Sequence, residues 1–543
     1  MASHQSEKEK PQSCTTEVQV SHVTGLKLGL VVTSVTLVVF LMLLDMSIIV
    51  TAIPHITAQF HSLGDVGWYG SAYLLSSCAL QPLAGKLYTL LTLKYTFLAF
   101  LGVFEVGSAL CGAARCSTML IVGRAVAGMG GSGLTNGAIT ILASAAPKQQ
   151  QPLLIGIMMG LSQIAIVCGP LLGGAFTQHA SWRWCFYINL PVGALAAILL
   201  LAIHIPKSVP TSDCTMPAPR AVGVRVILSQ LDLLGFVLFA AFAVMISLAL
   251  EWGGSDYMWD SSVIIGLFCG AGISLVVFGF WERYVGNSMA MIPFSVASRR
   301  QVWCSCLFLG FFSGALLTFS YYLPIYFQAV KDVSPTMSGV YMLPGIGGQI
   351  VMAIVSGAII GKTGYYIPWA LASGIIVSIS AGLVSTFQPH TSIAAWVMYQ
   401  FMGGFGRGCG MQTPIIAIQH ALPPQMSALG ISLAMFGQTF GGSLFLTLAK
   451  LVFSAGLDAG LREYAPAVSA EAVTAAGATG FRDVVPANLL SQVLLAYCKG
   501  IDHTFYLAVG ASGATFLFAW GMGQVGLIWW GEERTGFGRD ERV

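Results

Sequence analysis

Ile166-Val-Cys-Gly-Pro-Leu-Leu-Gly-Gly174 sets three glycines and a proline inside an otherwise apolar run of membrane-spanning length. Proline removes a helix donor and glycine removes the side chain, so the segment can kink and a neighbouring helix can come very close. Such a helix is built as a packing surface or a hinge among other helices. Composition agrees: of 543 residues, 56% are hydrophobic and 9% are charged, against about 25% charged in a soluble globular domain. The chain reads as an all-α polytopic membrane protein.

Working outward from that segment, runs of about 20 apolar residues mark the spans. They fall near 28–53, 68–88, 95–113, 118–143, 153–176, 185–205, 233–250, 262–281, 302–326, 337–360, 367–386, 394–418, 427–453 and 505–530, which makes fourteen. An even number puts both termini on one side. With the N-terminus inside, the tails and inner loops hold sixteen lysines and arginines and the short outer loops hold three, Arg115, Arg183 and Lys331. That asymmetry places both ends in the cytosol and accounts for the net charge of +3 without a nucleic-acid partner. No cleavable signal is expected, because the first apolar run follows 27 mostly polar residues and exceeds a signal core in length. The twelve cysteines lie mostly inside spans and read as small buried hydrophobes. Cys111 and Cys116, near the outer surface, are the one pair whose spacing invites a check for a bridge.

The chain repeats itself. Gly85-Lys86 recurs as Gly361-Lys362, Gly128 and Gly130 recur as Gly404 and Gly406, and Ala146-Pro147 recurs as Leu422-Pro423, each time 276 residues on. The repeat implies two homologous six-helix halves, 28–205 and 302–530, with two further helices inserted at 231–281. The remaining pieces are a tail at 1–27, inner loops at 206–230 and 282–301, an outer loop at 454–503 within the second half, rich in alanine and valine and expected to be partly helical, and a tail at 531–543. Carriers built from two related halves bind substrate between them near mid-membrane and rock around it.

At the same offset Arg124 corresponds to Gln400, Glu105 to Ala381 and Asp45 to Tyr321, so the first half carries the ionisable groups. An ionised residue at mid-membrane costs about 2.5–3.5 kcal/mol on insertion scales, and such groups face the bundle interior, a wet cavity or each other. Arg124, Asp45 and Glu105 are therefore the candidates for proton coupling. Each also has a purely structural reading: Arg124 as a tie between helices, Asp45 as an acceptor for nearby backbone, Glu105 as packing or as a partner for Arg124. Arg407, between Gly406 and Gly408, has no counterpart in the first half and reads either as a helix tie or as a sensor of anionic substrate.

Neutral amides stand at matching places in the two halves: Asn136 with Gln412, and Gln163 with Gln438 one residue off the repeat. They can hold a polar substrate or bond helix to helix, at about 0.6 kcal/mol each. Tyr321 and Tyr322, with Tyr326 and Phe327 around Pro324, form an aromatic cluster that reads as an interfacial belt or as a substrate wall.

Four segments together carry a resemblance: Leu44-Asp-Met-Ser-Ile-Ile-Val-Thr-Ala-Ile-Pro54, Gly123-Arg-Ala-Val-Ala-Gly-Met-Gly-Gly-Ser-Gly133, the segment around Gly169-Pro170, and Trp182-Arg-Trp-Cys-Phe-Tyr-Ile-Asn-Leu-Pro191. Over nearly all its length the chain resembles the fourteen-span drug:proton antiporter branch of the major facilitator superfamily, and in detail the fungal efflux pumps for toxins and other secondary metabolites. The resemblance implies that Asp45 lies in the first-span motif, that Arg124 lies in the fourth-span motif linked to proton coupling, and that Gly169, Pro170, Gly173 and Gly174 form the antiporter motif that works as a hinge or seal. Two departures stand out. Ala165 takes the place of the glycine that opens the antiporter motif, and Thr89 and Leu90 stand where that family has the acidic and basic residues of its inner gate latch.

Catalytic motifs are missing: there is no GxSxG, HExxH or phosphate-binding GxxxxGK[ST]. The expectation is no enzyme, no cofactor, no metal and no ATP-binding domain. A proton gradient is the remaining energy source, at about 1.4 kcal/mol per pH unit plus about 2.3 kcal/mol per 100 mV. The reading is a monomeric proton-coupled exporter of small amphipathic organic molecules, such as mycotoxins or drugs, in the plasma membrane. A vacuolar importer of basic amino acids or similar solutes and a non-transporting membrane sensor are the alternatives, and a vacuolar or vesicle membrane is the alternative location.

Overall fold

The computed structural model describes residues 24–62, 65–203, 230–254, 257–286, 289–469, 473, 480–482 and 484–523. The tail 1–23, most of the loop 206–230, and the expected end of the last span with the tail after it lie outside the described residues.

The first half comprises α1 (Leu26–Phe60), α2 (Val66–Leu90), α3 (Leu93–Gly112), α4 (Ser117–Ala145), α5 (Gln151–Ser162), α6 (Ile164–His179), α7 (Trp184–Tyr187) and α8 (Asn189–Ala202). The inserted pair is α9 (Leu233–Trp252) and α10 (Ser262–Val285), and the short α11 (Phe294–Ala297) leads on from it. The second half comprises α12 (Arg300–Ile325), α13 (Pro335–Val340), α14 (Leu343–Thr363), α15 (Ile367–Val384), α16 (Ile393–Gly410), α17 (Thr413–Ala421), α18 (Pro424–Tyr464) and α19 (Leu490–Ala519). Among the described residues there is no β-strand.

Eleven of these helical runs are long and apolar enough to cross a membrane. The other three expected spans, over α2, α4 and the α16–α17 pair, are helical as well, their apolarity diluted by glycine, serine and amide residues turned toward neighbouring helices. A single expected span appears as two helices where the ladder is interrupted, at Gln163 between α5 and α6 and at Met411-Gln412 between α16 and α17. Pro324 lies near the end of α12, and a π-helical turn over Tyr326–Val330 follows it, the local adjustment that a missing donor invites. The 276-residue repeat recurs as geometry, since α4 begins at Ser117 and ends at Ala145 while α16 begins at Ile393 and α17 ends at Ala421.

The outer segment 454–503, expected to be partly helical, is helical at both its ends: α18 runs on to Tyr464 and α19 starts at Leu490. Small residues let the two extensions touch, because a Cβ on Gly456 would lie 2.9 Å from Gly500 Cα and one on Gly460 would lie 2.8 Å from Ala496 Cα. Leu457, Leu461, Val493 and Tyr497 are buried there, and Lys499 pairs with Glu463 at the edge. A hydropathy run stops at the first charges, whereas the helix continues for as long as its apolar face has a partner.

Packing between the halves is uneven along the bundle. At the end that carries the start of α1 and the end of α19, a single buried core joins them, running from Tyr88, Ile139 and Ile155 to Phe308, Ile415 and Leu429. There a Cβ on Gly361 of α14 would lie 2.2 Å from Gln149 O, and one on Gly85 of α2 would lie 2.1 Å from Ser432 Oγ of α18. At the opposite end the buried clusters stay within their halves: Ile56, Tyr69, Leu120 and Trp182 in the first, Tyr326, Trp396, Phe481 and Tyr497 in the second. The short α13 touches α6 there. The halves are thus closed together at the terminus-bearing end. The inserted pair lies beside that seam, with Phe239 of α9 packed on Phe278 of α10 and Phe436 of α18.

Candidate functional site

The most deeply buried charges belong to Asp45, near the middle of α1, and Arg124 of α4, each 1% exposed and paired through Asp45 Oδ2 and Arg124 Nη1. The second carboxylate oxygen accepts a hydrogen bond from Asn189 Nδ2 at 3.1 Å, and the same amide also donates to Ser108 Oγ at 3.0 Å. Arg124 Nε donates to the Tyr69 carbonyl at 2.8 Å, and the guanidinium lies 4.7 Å from the centre of the Tyr73 ring. Five helices, α1, α2, α3, α4 and α8, therefore meet on one ion pair. Glycines on α3 and α4 let them approach: a Cβ on Gly107 would lie 2.3 Å from Ala127 N. Removing one partner of such a buried pair costs about 3–5 kcal/mol, because the other is left as an uncompensated charge. Asn189 is the member that sequence reasoning missed; the signal was a lone amide within the quoted Trp182–Pro191 stretch.

The Gly-Pro segment clamps the same turn of α1. Ala165, Gly169 and Gly173 fall four residues apart on one face of α6. Ala165 is fully buried with Leu41 and Leu44. A Cβ on Gly169 would lie 2.3 Å from Ser47 Oγ and 2.9 Å from Ile48 N, and one on Gly173 would lie 2.1 Å from Thr51 Oγ1. Ser47 Oγ donates to the Ile166 carbonyl at 2.8 Å across this seam. Pro170 lies inside α6, and Gly174 faces open space, with nothing within 4 Å of the point where a Cβ would sit.

Glu105 stands apart from the pair. It lies on α3 in a groove with Leu98, Leu101, Gly102, Leu190, Gly193, Ala194 and Ala197, and both its carboxylate oxygens are buried without a hydrogen-bond partner. Gly193 of α8 makes room for it, since a Cβ there would fall 1.7 Å from Glu105 Oε1. It is not a partner of Arg124.

The candidate substrate residues do not converge on one cavity. Gln412 is fully buried, donating to Ala353 O at 3.2 Å and Ser356 Oγ at 3.0 Å where α14 meets Gly156 of α5. Asn136 is fully buried with its Nδ2 unpartnered. Gln163 is buried at the α5–α6 junction, and Gln438 is half-buried on α18. Tyr321 is exposed, while Tyr322 is buried with its ring 5.4 Å from that of Phe453. Cys111 and Cys116 are both free.

Where the resemblance led one to expect a charged latch at Thr89 and Leu90, a cation one turn earlier on α2 is tied down instead. Lys86 Nζ donates to the Ala290 carbonyl at 2.8 Å and to that of Met289, in the segment leading from the inserted pair to the second half. Asp232 and Glu282 flank this segment. Asp232 Oδ1 accepts from Gly235 N and from Trp281 Nε1, each at 2.8 Å, and Glu282 accepts from Met291 N at 3.1 Å and Ile292 N at 3.2 Å.

With the geometry described, similarity to known proteins narrows the reading. A family model described as Major Facilitator Superfamily matches residues 35–297 and 287–446. The efflux pump mlcE of Penicillium citrinum is 73% identical over 521 residues, covering 95% of this chain and 94% of its own length. The efflux pump aflT of Aspergillus parasiticus is 42% identical over 511 residues, covering 94% of this chain and 97% of its own. Among solved structures, the E. coli fucose:proton symporter FucP superposes with a TM-score of 0.54 at 12% identity, over 91% of this chain and 98% of that one, a likeness of fold.

Proposed function

This chain belongs to the major facilitator superfamily, and on that footing we propose that it is a proton-coupled efflux transporter of small amphipathic organic molecules, fungal toxins and other secondary metabolites being the fitting class. It is a multi-pass membrane transporter and not an enzyme. The observation that carries the efflux direction is the likeness, over nearly the whole chain, to relatives named efflux pumps. We place it as a monomer in the plasma membrane with both termini in the cytosol and a proton gradient as its only energy source.

In this reading the halves rock about the seam between them, and the closed terminus-bearing end makes the described state one that is shut toward the cytosol. A proton arriving at Asp45 Oδ2 breaks the pair with Arg124 Nη1. Arg124 remains held by the Tyr69 carbonyl and the Tyr73 ring, contacts that do not depend on Asp45. Loss of the proton restores the pair. Because α6 clamps α1 beside Asp45, the change is transmitted to the helix that the Gly-Pro motif packs. Glu105, half-buried with both carboxylate oxygens unpartnered, is the second proton acceptor of the proposal.

The test is efflux of a panel of amphipathic fluorescent dyes from yeast expressing the full chain. Efflux above the empty-vector control should disappear when a protonophore collapses the gradient while ATP is held constant. Efflux that persists unchanged under those conditions would refute the coupling.

Lys86 supplies a second test. Its bonds to two carbonyls are charge-assisted, at about 1.5–3 kcal/mol each, enough to bias a two-state equilibrium more than tenfold. In Lys86→Met, spin labels at the exposed positions Leu91 and Gln425 should show a shift toward longer distances. An unchanged distance distribution would remove Lys86 from the gate.

A further inference from the structure

We propose that the second half holds an acceptor for the acidic group of an anionic substrate, formed by Arg407 and Gln400 of α16 where that helix meets α12 and α14. The proposal rests on the efflux reading and adds the substrate's charge class to it.

Arg407 is 5% exposed, and no carboxylate among the described residues forms an ion pair with it. Its Nε donates to Gln349 Oε1 at a long 3.3 Å, its guanidinium lies 4.8 Å from the Phe319 ring centre, and its Nη1 is buried without a partner. Gln400, 1% exposed, has both Nε2 and Oε1 buried and unpartnered. The two residues lie at one level. Arg407 reaches back along α16, so that its Nη2 and the Gln400 carbonyl are each 3.3 Å from the point where a Cβ on Gly345 would sit. Two unmet donors, Arg407 Nη1 and Gln400 Nε2, seven residues apart on one helix in an apolar core, point to something that is absent from the chain itself.

The repeat says what is missing. At the 276-residue offset, Gly345 and Gln349 stand for Tyr69 and Tyr73, the two residues that hold Arg124 in the first half; Arg407 donates to Gln349 and its Nη2 lies near the space that a Gly345 side chain would fill. The first-half site is completed by Asp45. Its counterpart on α12 is Tyr321, which brings no acid. The second half therefore repeats a guanidinium between the same pair of helices without its carboxylate. A guanidinium stays charged in proteins, and its planar fork matches a carboxylate with two parallel hydrogen bonds. Gln400 Nε2 adds a donor and the Phe319 ring an apolar wall. The approach is short, since Gly345 is the third residue of α14 and Leu343, at the start of that helix, is 46% exposed.

A lipophilic carboxylate and an inorganic anion share this chemistry, and the test separates them. Dansyl-labelled undecanoate and its methyl ester are titrated against the purified full-length protein in detergent, with binding read by probe fluorescence and no proton gradient present. The acid should bind 10- to 100-fold more tightly than the ester, the range for one charge-assisted contact. Arg407→Gln should bring the two within about twofold by weakening the acid alone. Gln400→Glu, which places a carboxylate beside the guanidinium, should do the same and remains informative if Arg407→Gln does not fold. Equal binding of acid and ester to the wild type, or an acid preference that survives both variants, would overturn the proposal. So would competitive displacement of the acid by chloride at near-physiological concentration, which would make the site one for inorganic anions. Because the readout needs no gradient, its failure leaves the efflux reading standing, and a failure of efflux leaves the binding result readable.

Discussion

Arg124→Ala should abolish gradient-driven export, and Asp45→Asn should do so too, each with a measurable loss of stability. Either change strands a charge that is 1% exposed and held by five helices, at about 3–5 kcal/mol. Loss of export alone would not separate a coupling pair from a structural tie. The double variant Asp45→Asn with Arg124→Gln does. It removes both charges while keeping shapes and hydrogen-bonding amides, so thermal unfolding in detergent should return to within about 1 kcal/mol of the wild type, since replacing both members of a buried pair is often close to neutral. Export driven by the gradient should stay at the background level. A double variant that folds and exports normally would make the pair architectural.

The second large effect concerns the Gly-Pro helix and depends on which glycine is changed. Gly169→Leu should reduce export at least tenfold. Even the first carbon of that side chain meets Ser47 Oγ at 2.3 Å and the backbone nitrogen of Ile48 at 2.9 Å, so α6 must move off α1 and give up the bond from Ser47 to Ile166. Overpacking of this kind costs about 1–3 kcal/mol, concentrated at the turn that carries Asp45. In Gly174→Leu, five residues on in the same motif, the first side-chain carbon meets nothing within 4 Å, and the variant should export within about twofold of the wild type. Equal sensitivity at the two positions, measured as dye efflux normalised to surface expression, would mean that the motif acts by something other than this seam.

That contrast also marks what the sequence could and could not disclose. The class of fold was legible because a bilayer leaves its signature in composition and in runs of about 20 residues. The two-half arrangement was legible because the repeat kept an offset of 276 residues. Asp45 and Arg124 stood out as charges where charge is expensive, but not as partners, since 79 residues separate them and nothing local encodes the contact. Asn189 was hidden for a related reason: an amide in an apolar helix has many uses, and only the fold shows its Nδ2 turned to Asp45. Gly169 and Gly174 look alike in a motif, and the neighbouring helix distinguishes them. The Lys86 contact was obscured because its acceptors are backbone carbonyls at 289 and 290, which no side-chain pattern announces. The helical character of the outer segment was legible but the ends of α18 and α19 were not, because hydropathy stops counting at charges such as Asp458 and Lys499 that sit on the outer edge of a packed hairpin.

On the two proposals together, Arg124 and Arg407 give the halves different tasks, proton exchange in the first and recognition of an acidic substrate in the second. The measurement that reaches the first of these most directly is proton movement itself. In liposomes containing the purified full-length chain and a pH-sensitive dye, adding an exported amphipathic probe on one side should drive a proton flux in the wild type. Asp45→Asn should still let the probe run downhill, with no accompanying pH change. A pH change in Asp45→Asn as large as that of the wild type, per molecule of probe moved, would contradict the assignment of coupling to the Asp45–Arg124 pair.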